Sequence, residues 1–150
     1  MKRLSLFIYF FLITVLQAAA QQSFDKTAVK SVMKRVADWQ IANPNKGAEH
    51  DDLDWTHAAL YMGMLDWAEL TEKEDSDDSY YQWLLRIGQR NHFQIGKWMY
   101  HADFIAVGQP FIDLYLKYGN KKMIAPVMAR ANWVCLLYTS PSPRDPKTSR

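Results

Sequence analysis

The segment WTHAALYMGMLDWAEL, Trp55 to Leu70, limits the possible folds more than any other part of the chain. At helical spacing, Trp55, Ala59 and Met62 fall on one face, while Leu60, Met64 and Trp67 fall on another. A surface helix carries one apolar stripe, so a helix that is apolar around most of its circumference must be wrapped by neighbours. The flanking sequence supplies those neighbours. Val29, Val32, Met33, Val36 and Trp39 recur at helical spacing through Lys26 to Ala42, and Pro44 ends that run. EKEDSDD, Glu72 to Asp78, reads as a solvated turn, and SYYQWLLRIG after it as a helix ending at Gly88. Ile105 to Tyr118 reads as a fourth helix, stopped by Gly119-Asn120 as a left-handed cap, and Met123 to Trp133 as a fifth. No stretch has the two-residue alternation of a half-buried strand, so the fold class is all-α.

The helices also repeat weakly. Asp54 opens an apolar helix followed by an acidic turn and a shorter aromatic helix, and Asp103 opens a similar unit 49 residues later. αα-Hairpins of this period stack side by side, either as an open solenoid or as a closed toroid.

The two ends differ from the middle. Met1 to Ala20 has Lys2 and Arg3, an apolar stretch from Leu4 to Leu16, then Ala18-Ala19-Ala20, the pattern of a cleaved signal peptide. Export to the periplasm is expected, and with no cysteine at the cleavage point no membrane anchor is expected to remain. At the other end, Cys135 to Asp145 reads as the translation of a transposase sequencing adapter, so residues 135–150 are expected to be a non-native tail. The expected layout is a signal peptide at 1–20, the folded segment at 21–134 and the tail at 135–150. On this reading the folded segment is the N-terminal part of a larger helical domain, cut before the hairpins close.

The ends hold five of the 18 Lys and Arg residues but one of the 16 acidic residues, so the middle carries a formal charge of −2 although the chain carries +2. That balance offers no electrostatic footprint for nucleic acid. The single cysteine, Cys135, lies in the tail, which leaves the middle without a disulfide framework or a thiolate metal site.

Recognisable catalytic motifs are missing: there is no Gly-rich phosphate loop, no His-Glu-x-x-His and no Gly-x-Ser-x-Gly. His50, His57, His92 and His101 are too scattered for a metal site. Carboxylates among aromatics remain. Asp103 and Asp54 each read either as a helix cap or as a working group, and Asp51 and Asp52 as solvated loop residues. Trp55 and Trp98 stand at helix ends, where an indole can form a platform for a sugar ring. Aromatics beside carboxylates suit glycan chemistry, in which one group supplies a proton and another steers water.

The stretches DWTHAALYMGMLDWAEL (Asp54 to Leu70) and YYQWLLRIGQRNHFQIGKWMYHADFIAVGQPFIDLYLKYGNKKMI (Tyr80 to Ile124) resemble the N-terminal part of glycoside hydrolases of families 88 and 105, the unsaturated glucuronyl and rhamnogalacturonyl hydrolases. The resemblance spans Lys26 to Val134 and implies a partial (α/α)6 toroid, truncated before closure. It further implies removal of the 4,5-unsaturated uronic acid that lyases leave on oligosaccharides, through protonation and hydration of the double bond. No metal and no cofactor is implied. By resemblance Asp103, in His101-Ala102-Asp103, is a catalytic aspartate that holds the uronic-acid hydroxyls and tunes its partner's protonation. Trp55 is implied as the aromatic at the sugar, with His101 and Gln109 as further substrate contacts. The chain departs from many relatives at Phe104, where a second carboxylate is common. The family's general acid lies downstream of Val134, and Asp145, in the tail, is no substitute for it. The parent protein is thus expected to be an enzyme and this chain to be inactive. The rival from another class is a non-catalytic helical-repeat glycan-binding protein, which would need no second aspartate motif.

Overall fold

A computed structural model describes residues 25–44 and 51–139. The expected signal peptide, most of the expected tail, His50 and Asp145 lie outside the described residues. The described residues form helices α1 (Lys26–Ala42), α2 (Trp55–Asp75), α3 (Ser79–Arg90), α4 (Ala102–Ile105), α5 (Gly108–Tyr118) and α6 (Lys121–Thr139), with no strand among them. The chain divides into two units, one up to Trp39 and one from Gln40 onward.

In the first unit, the Asp25 carboxylate caps α1 by accepting from the Thr27 and Ala28 amides at 3.1 and 3.3 Å. The apolar stripe read from the sequence is present, but Val29, Val32, Met33, Val36 and Trp39 are all exposed.

In the second unit α2 packs against α3, α4 and α5, and α5 packs against α6. Two αα-hairpins, α2–α3 and α5–α6, thus stand together as a partial helical toroid with α2 and α5 in mutual contact. The core is built from Tyr61, Met64, Trp67 and Ala68 of α2, Tyr80 and Leu84 of α3, and Phe111 and Leu114 of α5. The wrapping expected for α2 is incomplete. Ala59, Gly63, Asp66 and Glu69 form an exposed stripe on the side away from its partners, and Trp55 is exposed in the first turn.

The hairpin turns follow from local chemistry. Glu72 to Asp75, expected in a turn, continue α2, because Glu and Lys are good helix formers and nothing breaks the run before Ser76. Ser76 then adopts a left-handed conformation (φ 55°) and donates its amide to the Thr71 carbonyl. Thr71 is buried, and its hydroxyl lies within 3.1–3.3 Å of the carbonyls of Trp67, Ala68 and Asp77. Asp77 accepts from the Ser79 amide at 2.9 Å and starts α3. In the second hairpin Gly119 (φ 70°) ends α5, as its position in the sequence predicts, with its amide donating to Tyr115 at 2.7 Å. The Asn120 side chain then accepts from the Lys122 amide at 3.1 Å and caps α6. A two-residue connection is short enough to fold α6 back along α5. Lys117 joins the hairpins at the surface, 2.5 Å from the Glu72 carboxylate and 4.1 Å from the Tyr81 ring centroid.

Two helix ends differ from the expectation. α3 runs past Gly88 to Arg90, and α6 runs through Val134 to Thr139. α6 accommodates Pro126 inside its length and then meets no further proline or glycine until Pro141, whose ring disfavours helix in the residue before it.

Candidate active site

Of the expected site residues, His101 and Asp103 lie between α3 and α5, on a segment whose path is fixed at several points. The first is the end of α3. Asn91 donates its side-chain amide to the Ile87 carbonyl at 3.0 Å, and His92 and Phe93 both take left-handed conformations (φ 52° and 53°). Such conformations are costly for non-glycine residues and persist only where the surroundings hold them. Here Phe93 folds back over the helix it has just left. Its amide donates to the Gly88 carbonyl at 2.7 Å, and its buried ring meets Phe111 edge-on with centroids 5.4 Å apart. A Cβ on Gly88 would sit 2.3 Å from that ring. Gly88 is therefore not a helix stop but the place where the returning chain touches the helix.

The next fixed point is Gly96. Its amide donates to the Phe104 carbonyl at 2.8 Å, and a Cβ there would fall 2.2 Å from the Phe104 ring. Arg130, on α6, then gathers the loop from the other side. Its guanidinium donates to the carbonyls of Gly96 (2.9 Å), Trp98 (2.9 Å) and Met99 (3.3 Å). Trp133, one turn further along α6, packs on Tyr100 with ring centroids 4.5 Å apart. No local feature of the loop's sequence signals these contacts. Arg130 lies 31–34 residues downstream of the carbonyls it binds, and a single arginine has no periodic signature.

Held in this way, the loop presents an aromatic cluster with a carboxylate at its edge. Trp98, His101 and Phe104 are mutually packed, each pair of rings 5.5 Å apart. Asp103 Oδ2 lies 3.6 Å from His101 Nδ1, with both side chains about half exposed. This settles whether Asp103 is a helix cap. It sits inside the first turn of α4, a helix of four residues, and the preceding cap position belongs to His101. The helix read from Ile105 is two pieces, α4 and α5, joined by Ala106 and Val107. Phe104 fills the space over Gly96.

His101 and Asp103 are therefore brought together, while the other two expected residues are not joined to them by any hydrogen bond or ring contact among the described residues. Trp55 is half exposed in the first turn of α2. Gln109 is exposed on α5, where its amide donates to Asp113 Oδ1 at 3.2 Å. Asp54 occupies the cap position of α2 in an extended conformation, without a side-chain capping bond.

Asp52 is a correction. The sequence predicts a solvated loop residue, but Arg90 Nε and Nη2 donate to its two oxygens at 2.7 and 2.6 Å, and Asn91 Nδ2 donates at 2.8 Å. Burial opposes ionisation of this carboxyl, yet the hydrogen bonds from Arg90 and Asn91 and the Arg90 charge outweigh it and hold Asp52 below its ordinary value. Nearby, burial and then the Asp52 charge push the Tyr61 hydroxyl far above the usual tyrosine range. Asp52, Arg90, His57, Tyr61 and Trp83 line a pocket of about 330 Å³ with the end of α1.

No three His, Cys, Asp or Glu side chains cluster as a metal site would, and no helix is long and apolar enough to cross a membrane, among the described residues. Among curated proteins and solved structures nothing matches the chain. The sequence profile of Glycosyl Hydrolase Family 88, however, matches residues 14–142, most of the chain's length. An all-helical hairpin architecture and a carboxylate set among aromatic rings agree with that match, and the chain belongs to Glycosyl Hydrolase Family 88.

Proposed function

We propose that the substrate is an oligosaccharide ending in a 4,5-unsaturated uronic acid, and that Asp103 is the aspartate which grips that sugar. A carboxylic acid adds a proton to one carbon of the enol-ether double bond, water adds its hydroxyl to the adjacent carbon, and the hemiketal so formed opens. The opened ring leaves a hemiacetal at the anomeric carbon, and its collapse to an aldehyde releases the neighbouring sugar as an alcohol. Asp103 accepts hydrogen bonds from the sugar hydroxyls, and its negative charge raises the pKa of the partner carboxyl that delivers the proton. His101 and Gln109 supply polar contacts, and Trp55 supplies an apolar face for the ring.

The observation that carries this reading is the His101–Asp103 pair, half exposed at 3.6 Å beside Trp98, in a chain of Glycosyl Hydrolase Family 88. One carboxylate cannot serve as both the gripping group and the acid, so this chain is proposed to bind the substrate without turning it over. Its place of action is proposed to be the periplasm, after removal of the leader.

The test offers the chain an unsaturated glucuronyl disaccharide and follows two signals together. Tryptophan fluorescence should change saturably while the ultraviolet absorbance of the double bond persists. A chain that leaves both signals unchanged contradicts the binding role, and one that removes the absorbance contradicts the proposed division of labour.

A further inference from the structure

We infer that the pocket between the end of α1, the first turns of α2 and the last turns of α3 is a second carbohydrate site, one that takes an uncharged sugar residue. The inference rests on the reading of this chain as a glycan-handling protein, and it concerns a site that shares no residue with the His101–Asp103 cluster.

The size of the pocket comes first. At about 330 Å³ it is at the small end of ligand-sized cavities, room for one sugar ring but not for a folded oligosaccharide. Its walls combine two kinds of surface. Trp83 is half-buried and meets Tyr61 edge-on at 5.9 Å, and Tyr61 lies 5.9 Å from the His57 ring, giving a continuous aromatic wall. The lining also includes the amide side chains of Gln40 and Asn43, a residue type that can both donate and accept hydrogen bonds. A pyranose has the matching pair of surfaces, an apolar C–H face and a rim of hydroxyls.

Charge then selects among sugars. Arg90 would be the natural anchor for a carboxylate, but its Nε and Nη2 are committed to the two oxygens of Asp52 in a bidentate pair. The pair cancels its own charge, and Asn91 fastens the carboxylate from a third direction. A uronate entering this pocket would have to displace Asp52 from Arg90 or lie beside its negative charge. A neutral residue faces neither cost. The pocket therefore differs in charge preference from the Asp103 site, where the proposed ligand is a uronic acid.

The location is also favourable. Trp55 and the pocket residues His57 and Tyr61 belong to the same helix, and six residues of helix span about 9 Å. A pocket on the same helix as the expected sugar platform can hold a neutral unit of the same glycan or of a second strand of it.

The experiment is a titration of the isotopically labelled full chain with the methyl glycosides of glucose, galactose and N-acetylglucosamine, and separately with glucuronate. Chemical shifts of the Trp83 indole and of the Gln40 and Asn43 side-chain amides are followed. At least one neutral glycoside is expected to shift these signals saturably, with an affinity in the millimolar range, and glucuronate to do so more weakly. Q40A and N43A are surface changes that leave the core intact, and each should weaken binding by about tenfold, the loss of one good hydrogen bond. D103N should leave it unchanged. Shifts that do not saturate, shifts centred on Trp55 or Trp98 instead of Trp83, or a preference for glucuronate would each overturn the inference. If the neutral sugars fail here while the unsaturated disaccharide still binds through Asp103, the pocket is not a sugar site and the functional reading stands. If neither binds, both fall.

Discussion

Arg130 donates to the Gly96 carbonyl at 2.9 Å across 34 residues of sequence, and the same guanidinium reaches the carbonyls of Trp98 and Met99. A single side chain on α6 thereby sets the path of the loop that leads to His101 and Asp103. Replacing Arg130 with alanine should cost about 2 kcal/mol, since charge-assisted bonds to three carbonyls are lost and water replaces them only in part. Lysine should recover little, because an ammonium cannot span three carbonyls as a planar fork does. Chemical denaturation gives the stability, and amide exchange should show faster opening of residues 96–101 in R130A than in the parent. Unchanged exchange in that loop would mean that other contacts hold it.

Gly88 and Phe93 should behave as a coupled pair. G88A pushes a methyl group into the Phe93 ring and should destabilise by about 1–3 kcal/mol, the cost of overpacking. F93A alone should cost about 3–5 kcal/mol through the cavity it leaves. In the F93A background the sign of the first change should reverse, because Gly to Ala inside a helix gains about 0.5–1 kcal/mol once the ring is gone. A double-mutant cycle by urea denaturation measures this, and simple additivity would contradict the packing described for the end of α3.

Asp52 predicts a component of acid sensitivity. Its folded pKa lies below the ordinary aspartate value. Its contribution is therefore fully present above that value and is lost as pH falls through the lower, folded value. D52N should be less stable than the parent by about 1–2 kcal/mol at neutral pH, a range that allows for the partial exposure of the pair. The gap should narrow as pH falls below 4. Melting temperatures of both proteins between pH 7 and pH 3 test this, and a gap independent of pH would show that Asp52 acts through shape and not through charge.

The helices were legible because their signals are local. The stripe of α1, the buried character of α2 around Met64 and Trp67, and the Gly119 cap each depend on residues within a few positions of one another. The pairing of His101 with Asp103 was equally accessible, being two residues apart. What escaped the reading depends on distance in sequence. Nothing around Asp52 signals Arg90, and nothing around Gly96 signals Arg130. Gly88 was legible as a special position, yet its reason was misread, because a helix stop and a close approach both call for a residue without a Cβ. The split of one expected helix into α4 and α5 has the same origin, since the junction at Ala106 and Val107 contains no proline or glycine and is set by packing, with Val107 fully buried.

The most direct measurement is the affinity of the unsaturated glucuronyl disaccharide for the parent chain and for D103N and D103E, followed by tryptophan fluorescence. If Asp103 grips the sugar hydroxyls, D103N should bind at least about tenfold more weakly, as expected for loss of a charged acceptor, while its melting temperature stays close to that of the parent. D103E keeps the charge but moves it by a methylene, and should fall between the two. Equal affinity in all three proteins would contradict the assignment of Asp103 to the substrate and leave the His101–Asp103 pair as a surface contact.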